Sequence, residues 1–225
     1  MSEDAYAPHR IFLIRHGETD WNRDFRYQGI SDIELNETGR EQARLAGIRL
    51  AGTVPANVYS SPLSRARRTA EIIMEHNRGD IGVELCGDLR EVSFGKWEGL
   101  PASEVEKRYP DTLSAWRAAP FSATPEGGEP FAEVRERSKK AARLVISAGR
   151  PGSVTFVVAH GGVMRAFLAS LMNIEDFSLM WRMRFDNCSI SVLDIWGTRP
   201  SMLLLNDTNH IRLEEDEISR MSFSR

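Results

Sequence analysis

The alternation of short apolar runs with amphipathic helical stretches is the feature that most constrains the fold of this chain. Residues 11–14, 57–60, 83–86 and 154–159 are short and largely apolar or β-branched, which is typical of strands buried in a parallel sheet. Helical periodicity follows the first, second and fourth of these runs. This order predicts a three-layer α/β domain, in which ligands bind beyond the carboxyl ends of the strands.

The helices are predicted from end signals as well as from periodicity. Thr38 and Glu41 form a capping-box pair ahead of a first helix, and a second helix spans residues 64–76. Pro130 is a good first-turn residue and opens a long helix. A further helix is expected over residues 163–172.

Two regions depart from this alternation. Residues 92–128 are rich in glycine, proline and tryptophan and contain two short helical pieces, at 103–108 and 113–117, so we interpret them as an inserted cap. The β-rich runs 189–195 and 201–205 are separated by a turn and predict a hairpin at the edge of the sheet.

The chain is interpreted as a single domain over residues 1–225. Its core is expected at about residues 10–207, because strand and helix patterns continue through that range without a linker. The charged residues at about 210–225 are expected to form a mobile tail.

Composition limits the partners and the compartment. The 32 acidic and 29 basic residues give a net charge of -3, so the chain lacks the basic field that sequence-independent nucleic-acid binding needs, and any anion site must be local. No run is long enough to cross a bilayer, and the first ten residues do not resemble a secretion signal. Cys86 and Cys188 lie far apart in no metal-ligand spacing, which favours reduced thiols and a cytoplasmic location, although one disulfide stays open.

The stretch RHGETDWN at residues 15–22 combines groups that suit a phosphate. The Arg15 fork matches phosphate oxygens bidentately, and Gly17 is expected to expose backbone N–H groups to the same anion. The His16 imidazole can act as a covalent nucleophile when it is neutral, and a nearby arginine favours the neutral form.

A second cluster, SSPLSRARRTA at residues 60–70, places three arginines in the first turns of a helix. Cations there oppose the helix dipole, so at least one is expected to face a bound anion, and we assign that role to Arg65. Arg67 and Arg68 are instead expected to form surface pairs with acids such as Glu71.

Two later pieces supply an acid and a second imidazole. Glu91, in LREVSFGKWEG, is a carboxyl group expected at a strand end, where it can protonate a leaving alkoxide. His160 is followed by two glycines at the tip of another predicted strand and, if protonated, would donate to the equatorial oxygens of a phosphoryl group. The remaining histidines are expected on the surface: His9, His76 and His210.

These four pieces, in this order, resemble the histidine phosphatase superfamily, which includes cofactor-dependent phosphoglycerate mutases and fructose-2,6-bisphosphatase-like enzymes. The likeness spans about residues 10–207. It implies an α/β sandwich around a mostly parallel sheet of about six strands. It also implies His16 as the phosphorylated nucleophile, Glu91 as the proton donor, and a phosphate pocket formed by Arg15, Arg65 and His160.

The resemblance also assigns residues around the phosphate. Asn22 matches a phosphate contact, and Thr19 and Gln28 match the substrate side of the pocket, together with the cap that begins at Trp97. Gly17 and Gly161 each follow a strand-tip histidine and are predicted to lie against the phosphate.

Within the family, FGKWEG at residues 94–99 is similar to the phosphatase branch and differs from the mutases. The leading hypothesis is therefore a phosphomonoester hydrolase of the histidine acid phosphatase type, acting on a small phosphorylated metabolite without a metal or cofactor. The five histidines show no metal-ligand spacing. A phosphoglycerate mutase and a catalytically silent phospho-ligand binding protein are the alternatives. We expect no nucleic-acid or membrane partner, and a homodimer is left open.

Overall fold

The computed structural model describes residues 7–78, 81–119 and 123–212, and a six-stranded sheet lies at its centre. The strands are His9–Arg15 (β1), Asn57–Ser60 (β2), Glu84–Leu85 (β3), Val154–Ala159 (β4), Ile190–Trp196 (β5) and Arg199–Asp207 (β6). Their order across the sheet is β3-β2-β4-β1-β5-β6. The first four run parallel, whereas β5 and β6 are antiparallel, which confirms the mostly parallel sheet and the edge hairpin.

Helices cover both faces of this sheet. The helices of the described residues are Asp20–Arg23 (α1), Glu37–Leu50 (α2), Ser64–Glu75 (α3), Ala102–Arg108 (α4), Pro110–Ala118 (α5), Phe131–Ala148 (α6), Gly161–Leu171 (α7) and Asn209–Arg212 (α8). Of these, α2 and α3 pack on one face of the sheet, and α6 and α7 pack on the other. Successive side chains of β1 point to opposite faces, so Phe12 and Ile14 pack with α2 and α3 while Ile11 and Leu13 pack with α6 and α7. The fold therefore has the three predicted layers. Across the described ranges, no helix has the length and apolar character needed to cross a bilayer.

The cap has a small core of its own. A short 3-10 turn, Gly95–Trp97, leads into α4 and α5, which match the two predicted helical pieces. Trp97 is fully buried and packs with Val105 and Leu113, and its ring centroid lies 5.2 Å from that of Tyr27. The indole of Trp97 therefore fills the interior of the cap.

The predicted capping box at the start of α2 is also wrong. Asn36 caps this helix, with its Oδ1 accepting from the Gly39 N–H at 2.8 Å, and Thr38 lies inside the first turn. Glu41 binds Arg44 on the exposed face instead. An asparagine one residue before the helix competes with a threonine for the same capping position, and here the asparagine caps it.

Two histidines expected on the surface are buried. His9 is only 6% exposed and lies 2.8 Å from the Thr155 hydroxyl, whereas His76 is partly exposed. His210 is fully buried on α8, with its Nε2 3.0 Å from the Cys188 carbonyl. The predicted mobile tail therefore cannot begin at residue 210, and residues 213–225 lie outside the described ranges.

Candidate active site

Adjacent parallel strands bring the two predicted histidines together. β1 and β4 pair in a register that places Arg15 beside Ala159, so the next residue of each strand, His16 and His160, leaves the same edge of the sheet. The two ring centroids are 5.0 Å apart. Both side chains are almost completely buried, at 2% and 0% exposed. The site therefore starts from two imidazoles in direct contact.

The hydrogen bond of His16 defines which ring nitrogen can react. Its Nδ1 lies 2.7 Å from the Gly17 carbonyl oxygen, and a carbonyl can only accept, so the proton of the neutral ring belongs on Nδ1. The lone pair is then on Nε2. An imidazole in this tautomer can attack phosphorus through Nε2.

Two guanidinium groups lie beside the imidazoles: Arg65 is fully buried, and Arg15 is partly buried with its Nε inaccessible to water. Arg15 donates to the Phe185 carbonyl at 2.6 Å, and Arg65 donates to the carbonyls of Ser31 and Gly29, both at 2.8 Å. These bonds use the terminal nitrogens, and the buried Nε of each arginine has no protein partner. Burial lowers the pKa of Arg65 to about 10, which leaves the group cationic at neutral pH. The site thus holds two fixed positive charges with donors still unused.

The carboxylate of Glu98 links the cap to the segment that holds Arg65. It accepts from the backbone N–H groups of Ile30 and Ser31, at 3.1 and 3.0 Å, and from the N–H of Phe94 at 3.0 Å. The carbonyl of Ser31 in turn accepts from Arg65. Glu98, in the FGKWEG stretch, therefore holds the backbone segment whose carbonyls orient the Arg65 guanidinium.

The surroundings of both active-site histidines favour the neutral imidazole. Burial is the largest cause that lowers the pKa of His16 well below 6.5, and the charges of Arg65 and Arg15 lower it further. Burial and Arg65 lower the pKa of His160 in the same way. A protonated His160 would add a third cation beside Arg15 and Arg65, so the structure disfavours the charged donor of the conditional prediction, which stays a prediction. A neutral imidazole still donates one N–H, and the His160 Nε2 lies 2.7 Å from the Ser61 hydroxyl while its buried Nδ1 has no partner.

The carboxylate of Glu91 is bound by N–H groups at the start of α7, directly after His160. Its Oε1 accepts from the N–H groups of Val92 and Val163 at 2.9 and 2.8 Å, and its Oε2 accepts from Gly162 at 2.9 Å. Among the hydrogen bonds of the described residues, none uses the N–H of Gly161, which remains as a donor at this helix start. Burial lowers the pKa of Arg15, and the nearby Glu91 charge opposes this. Contrary to expectation, Glu91 does not end a strand, because β3 stops at Leu85 and a 3-10 turn intervenes.

The other predicted substrate residues form one hydrogen-bonded loop. The Thr19 hydroxyl donates to the Gln28 side chain at 3.0 Å, and Thr19 and Asn22 form the capping box of α1. Thr19 is fully buried and holds the Gln28 side chain. The Asn22 Oδ1 accepts from the Thr19 N–H and from the Asn187 amide, so the NH₂ group is the part of the Asn22 amide that can still donate.

Gly17 has a different role from the one predicted. Its N–H donates to the Thr69 hydroxyl at 3.0 Å, so it is not exposed to an anion. A Cβ on Gly17 would instead overlap the carbonyl oxygen of Gly39, at the start of α2. Glycine is therefore needed here for close packing of β1 against α2.

Sequence reasoning missed three polar residues that orient the site. Thr69 binds Gly17, Ser61 binds His160, and the Asn187 amide donates to the His16 carbonyl at 3.0 Å. Thr69 and Ser61 belong to the SSPLSRARRTA stretch, where only the arginines were considered. Asn187 lies in a loop before β5, where no periodic pattern marks it.

The described residues contain no group of three or more histidine, cysteine or acidic side chains with the geometry to hold a metal ion. Cys86 and Cys188 are both buried free thiols.

The pairs predicted for Arg67 and Arg68 are present, since both contact Glu71 on the exposed face of α3. Of the three arginines in this cluster, Arg65 is the buried one that lies beside the imidazoles, and its contact with a phosphate stays a prediction.

Parallel strands of this mixed sheet end beside two imidazoles, two guanidinium groups and a carboxylate, a set of groups that suits phosphoryl transfer. The family model described as the histidine phosphatase superfamily (branch 1) matches residues 11–208. The chain belongs to this superfamily.

Named relatives agree with this assignment. Phosphoserine phosphatase 1 of Hydrogenobacter thermophilus is 34% identical over 202 residues, which cover 90% of this chain and 94% of that protein. A Cronobacter sakazakii protein named "Probable phosphoglycerate mutase GpmB" is 34% identical over 193 residues, 82% of this chain and 84% of its own. The structure of a mycobacterial glucosyl-3-phosphoglycerate phosphatase with VO₃ matches with a TM-score of 0.79 at 32% identity, covering 88% of this chain and 98% of the other.

The predicted superfamily and fold class are confirmed by these findings. The prediction of a phosphatase is confirmed at the level of the family, whose similar members are named as phosphatases of small phosphorylated compounds or as a mutase. The roles of individual side chains stay predictions.

Proposed function

We propose that this chain is a metal-independent phosphomonoester hydrolase of the histidine acid phosphatase type, acting on a small phosphorylated metabolite through a phosphohistidine at His16. The supporting observation is a set of three buried nitrogens without protein partners around that imidazole: Arg15 Nε, Arg65 Nε and His160 Nδ1. Buried polar atoms in folded proteins are normally paired, so their common lack of partners favours a polar ligand. A tetrahedral dianion offers acceptors to several donors at once.

In the proposed complex, the phosphoryl oxygens lie between the two guanidinium groups and His160. The unused N–H groups of Arg15 and Arg65 donate to the anion, and the N–H of Gly161 and the amide of Asn22 supply further donors. Positive charge and N–H donors fixed in a buried site stabilise the charge that gathers on the equatorial oxygens during transfer.

The first chemical step is attack of His16 Nε2 on phosphorus. The Nε2–P bond forms while the bond from phosphorus to the ester oxygen breaks, and that oxygen takes the electron pair. It also takes a proton from Glu91. Oε1 already accepts two N–H bonds and Oε2 only one, so Oε2 is the oxygen with room for the proton.

The second step returns the protein to its starting state. The Glu91 carboxylate removes a proton from water, and the oxygen of that water attacks the phosphorus of the phosphohistidine. The Nε2–P bond breaks, its electron pair returns to His16 Nε2, and inorganic phosphate leaves. The proton gained by Glu91 replaces the one donated in the first step.

Phosphate release from p-nitrophenyl phosphate in the presence of a chelator tests this proposal. We expect turnover by the native chain and a loss of at least about 10³-fold in His16→Ala, because the nucleophile is removed. His76→Ala is the matched control, since His76 is a partly exposed histidine outside the site. A phosphoryl mass increase on the peptide that contains His16 is expected after rapid quenching. Equal rates in the native chain and His16→Ala would overturn the proposal.

The same preparation separates the alternatives. The named mutase relative motivates a second assay, in which interconversion of phosphoglycerates without phosphate release would identify a mutase. Binding of phosphate without turnover or labelling of His16 would identify a silent binding protein.

We also propose a cytoplasmic location, which the two free thiols support. Light scattering would decide between a monomer and the homodimer left open above.

A further inference from the structure

Arg137 on α6 forms a dense set of contacts that no step of the proposed reaction uses. Its Nε and Nη2 donate to the two carboxylate oxygens of Glu129, at 2.7 and 2.9 Å. Its Nη1 donates to the carbonyls of Asp88 and Arg90, at 2.8 and 2.6 Å, and Nη2 also reaches the Glu91 carbonyl at 3.2 Å. All five N–H groups of the guanidinium are therefore used. We call this set the Arg137 clamp.

The clamp acts on the main chain that carries the proposed proton donor. Arg137 holds the carbonyl of Glu91 from α6, while the first N–H groups of α7 hold the Glu91 carboxyl group through Gly162 and Val163. Glu91 is thus fixed at both ends by two different helices. Loss of the hydrogen bonds at either end would let the Glu91 carboxyl oxygen shift relative to the ester oxygen that it must protonate.

Stability alone is a poor reason for such an arrangement. The side chains of Arg137 and Glu129 are only 5% and 6% exposed. Apolar residues of similar volume can replace a buried ion pair with little loss or even a gain of stability. The guanidinium nevertheless directs three of its N–H groups at the backbone of residues 88–91. This direction points to a positional role.

We propose that Arg137, held by Glu129, is a positioning residue that fixes Glu91 for proton delivery to the leaving oxygen. This inference rests on the proposed function, because it assumes that Glu91 protonates the leaving group. It predicts a specific defect: removing the clamp should impair reactions that need the proton and leave substrate binding and attack by His16 largely intact.

The leaving group provides the test. p-Nitrophenolate is a stable anion and needs little protonation, whereas an aliphatic alkoxide is strongly basic and must be protonated as it leaves. We would compare kcat and KM for p-nitrophenyl phosphate and for glycerol phosphate in the native chain, Arg137→Met and Arg137→Lys. Arg143→Met is the matched control, because Arg143 is an exposed arginine on the same helix.

We expect Arg137→Met to lower kcat/KM, which reports the first chemical step, about 10- to 100-fold more for the alkyl ester than for the aryl ester. The second step also uses Glu91 but is common to both esters, so a loss in that step lowers kcat equally for both. Arg137→Lys should recover part of the loss, since an ammonium can still donate to some of the carbonyls. Equal losses of kcat/KM for both esters, or no loss for either, would overturn the inference. If Arg137→Met does not fold, Glu129→Gln keeps the shape, removes the charge that holds Arg137, and should give the same selective defect.

Failure of this inference and failure of the proposed function give different results. Glu91→Gln should show the same selective loss on the alkyl ester. If it does and both clamp variants do not, the clamp has no positional role while the proposed function stands. If Glu91→Gln shows no selectivity, or the native chain forms no phosphohistidine, the assumed role of Glu91 or the function is wrong, and the inference fails with it.

Discussion

His210 should make folding stability fall as the pH drops below neutrality. Its ring is fully buried, and burial, the largest cause, lowers its pKa from 6.5 to about 4. The unfolded chain therefore binds a proton at this group over a pH range where the native chain does not. Stability is fully present above the unfolded pKa and is lost as the pH falls toward 4. At about 1.4 kcal/mol for each pH unit, the free energy of unfolding should decrease by about 2 kcal/mol between pH 6.5 and 5.

Urea unfolding at several pH values measures this loss. In His210→Gln the amide NH₂ group can still donate to the Cys188 carbonyl but cannot titrate. Between pH 6.5 and 5, the free energy of unfolding of this variant should therefore decrease by about 2 kcal/mol less than that of the native chain. Burial also lowers the pKa values of His9, His16 and His160, but these groups are present in both proteins and cancel in the comparison. Parallel pH dependences in the two proteins would refute the reasoning.

Two further substitutions test the packing and the hydrogen bonds of the site. Gly17→Ala should lower the free energy of unfolding by about 1–3 kcal/mol in urea, because its Cβ would overlap the Gly39 carbonyl. In Gly52→Ala the new Cβ meets nothing within 4 Å, so this control should be neutral or slightly stabilising, and similar losses in both would contradict the packing argument. Asn187→Ala removes a 3.0 Å hydrogen bond to the His16 carbonyl and should lower kcat for p-nitrophenyl phosphate about tenfold, roughly the value of one hydrogen bond. An unchanged kcat in steady-state assays would show that this bond does not orient the nucleophile.

The two strand-tip histidines were predictable from local pattern and topology together. An uninterrupted apolar run is typical of a strand buried on both faces, and Ile11 to Ile14 are indeed completely buried. Parallel strands end at one edge of the sheet, so residues that follow two such runs meet when the strands are neighbours. The sequence alone could not place β1 and β4 side by side, since 138 residues separate the last residue of one from the first of the other. The family resemblance supplied that step.

Arg65 was predicted for a reason that explains only part of its environment. The helix-dipole argument required an anion near the arginine cluster, and Arg65 is the member of that cluster that enters the site. Its orientation, however, comes from the carbonyls of Gly29 and Ser31, which Glu98 helps to hold from the cap. Hydrogen bonds between segments tens of residues apart leave no periodic trace. The positions of Thr69, Ser61 and Asn187 were missed for the same reason.

Burial of the site connects its stability with its proposed chemistry. Taking two guanidinium groups out of water is unfavourable unless their N–H groups find acceptors, and backbone carbonyls satisfy only some of them. The same exclusion of water lowers the pKa of His16 and favours its neutral form, in which the proposed nucleophile needs no separate base to free its lone pair. An anion that fills the site satisfies the remaining donors without exposing them to water. A substitution that opened the pocket would therefore act twice, by hydrating the arginines and by raising the pKa of the nucleophile.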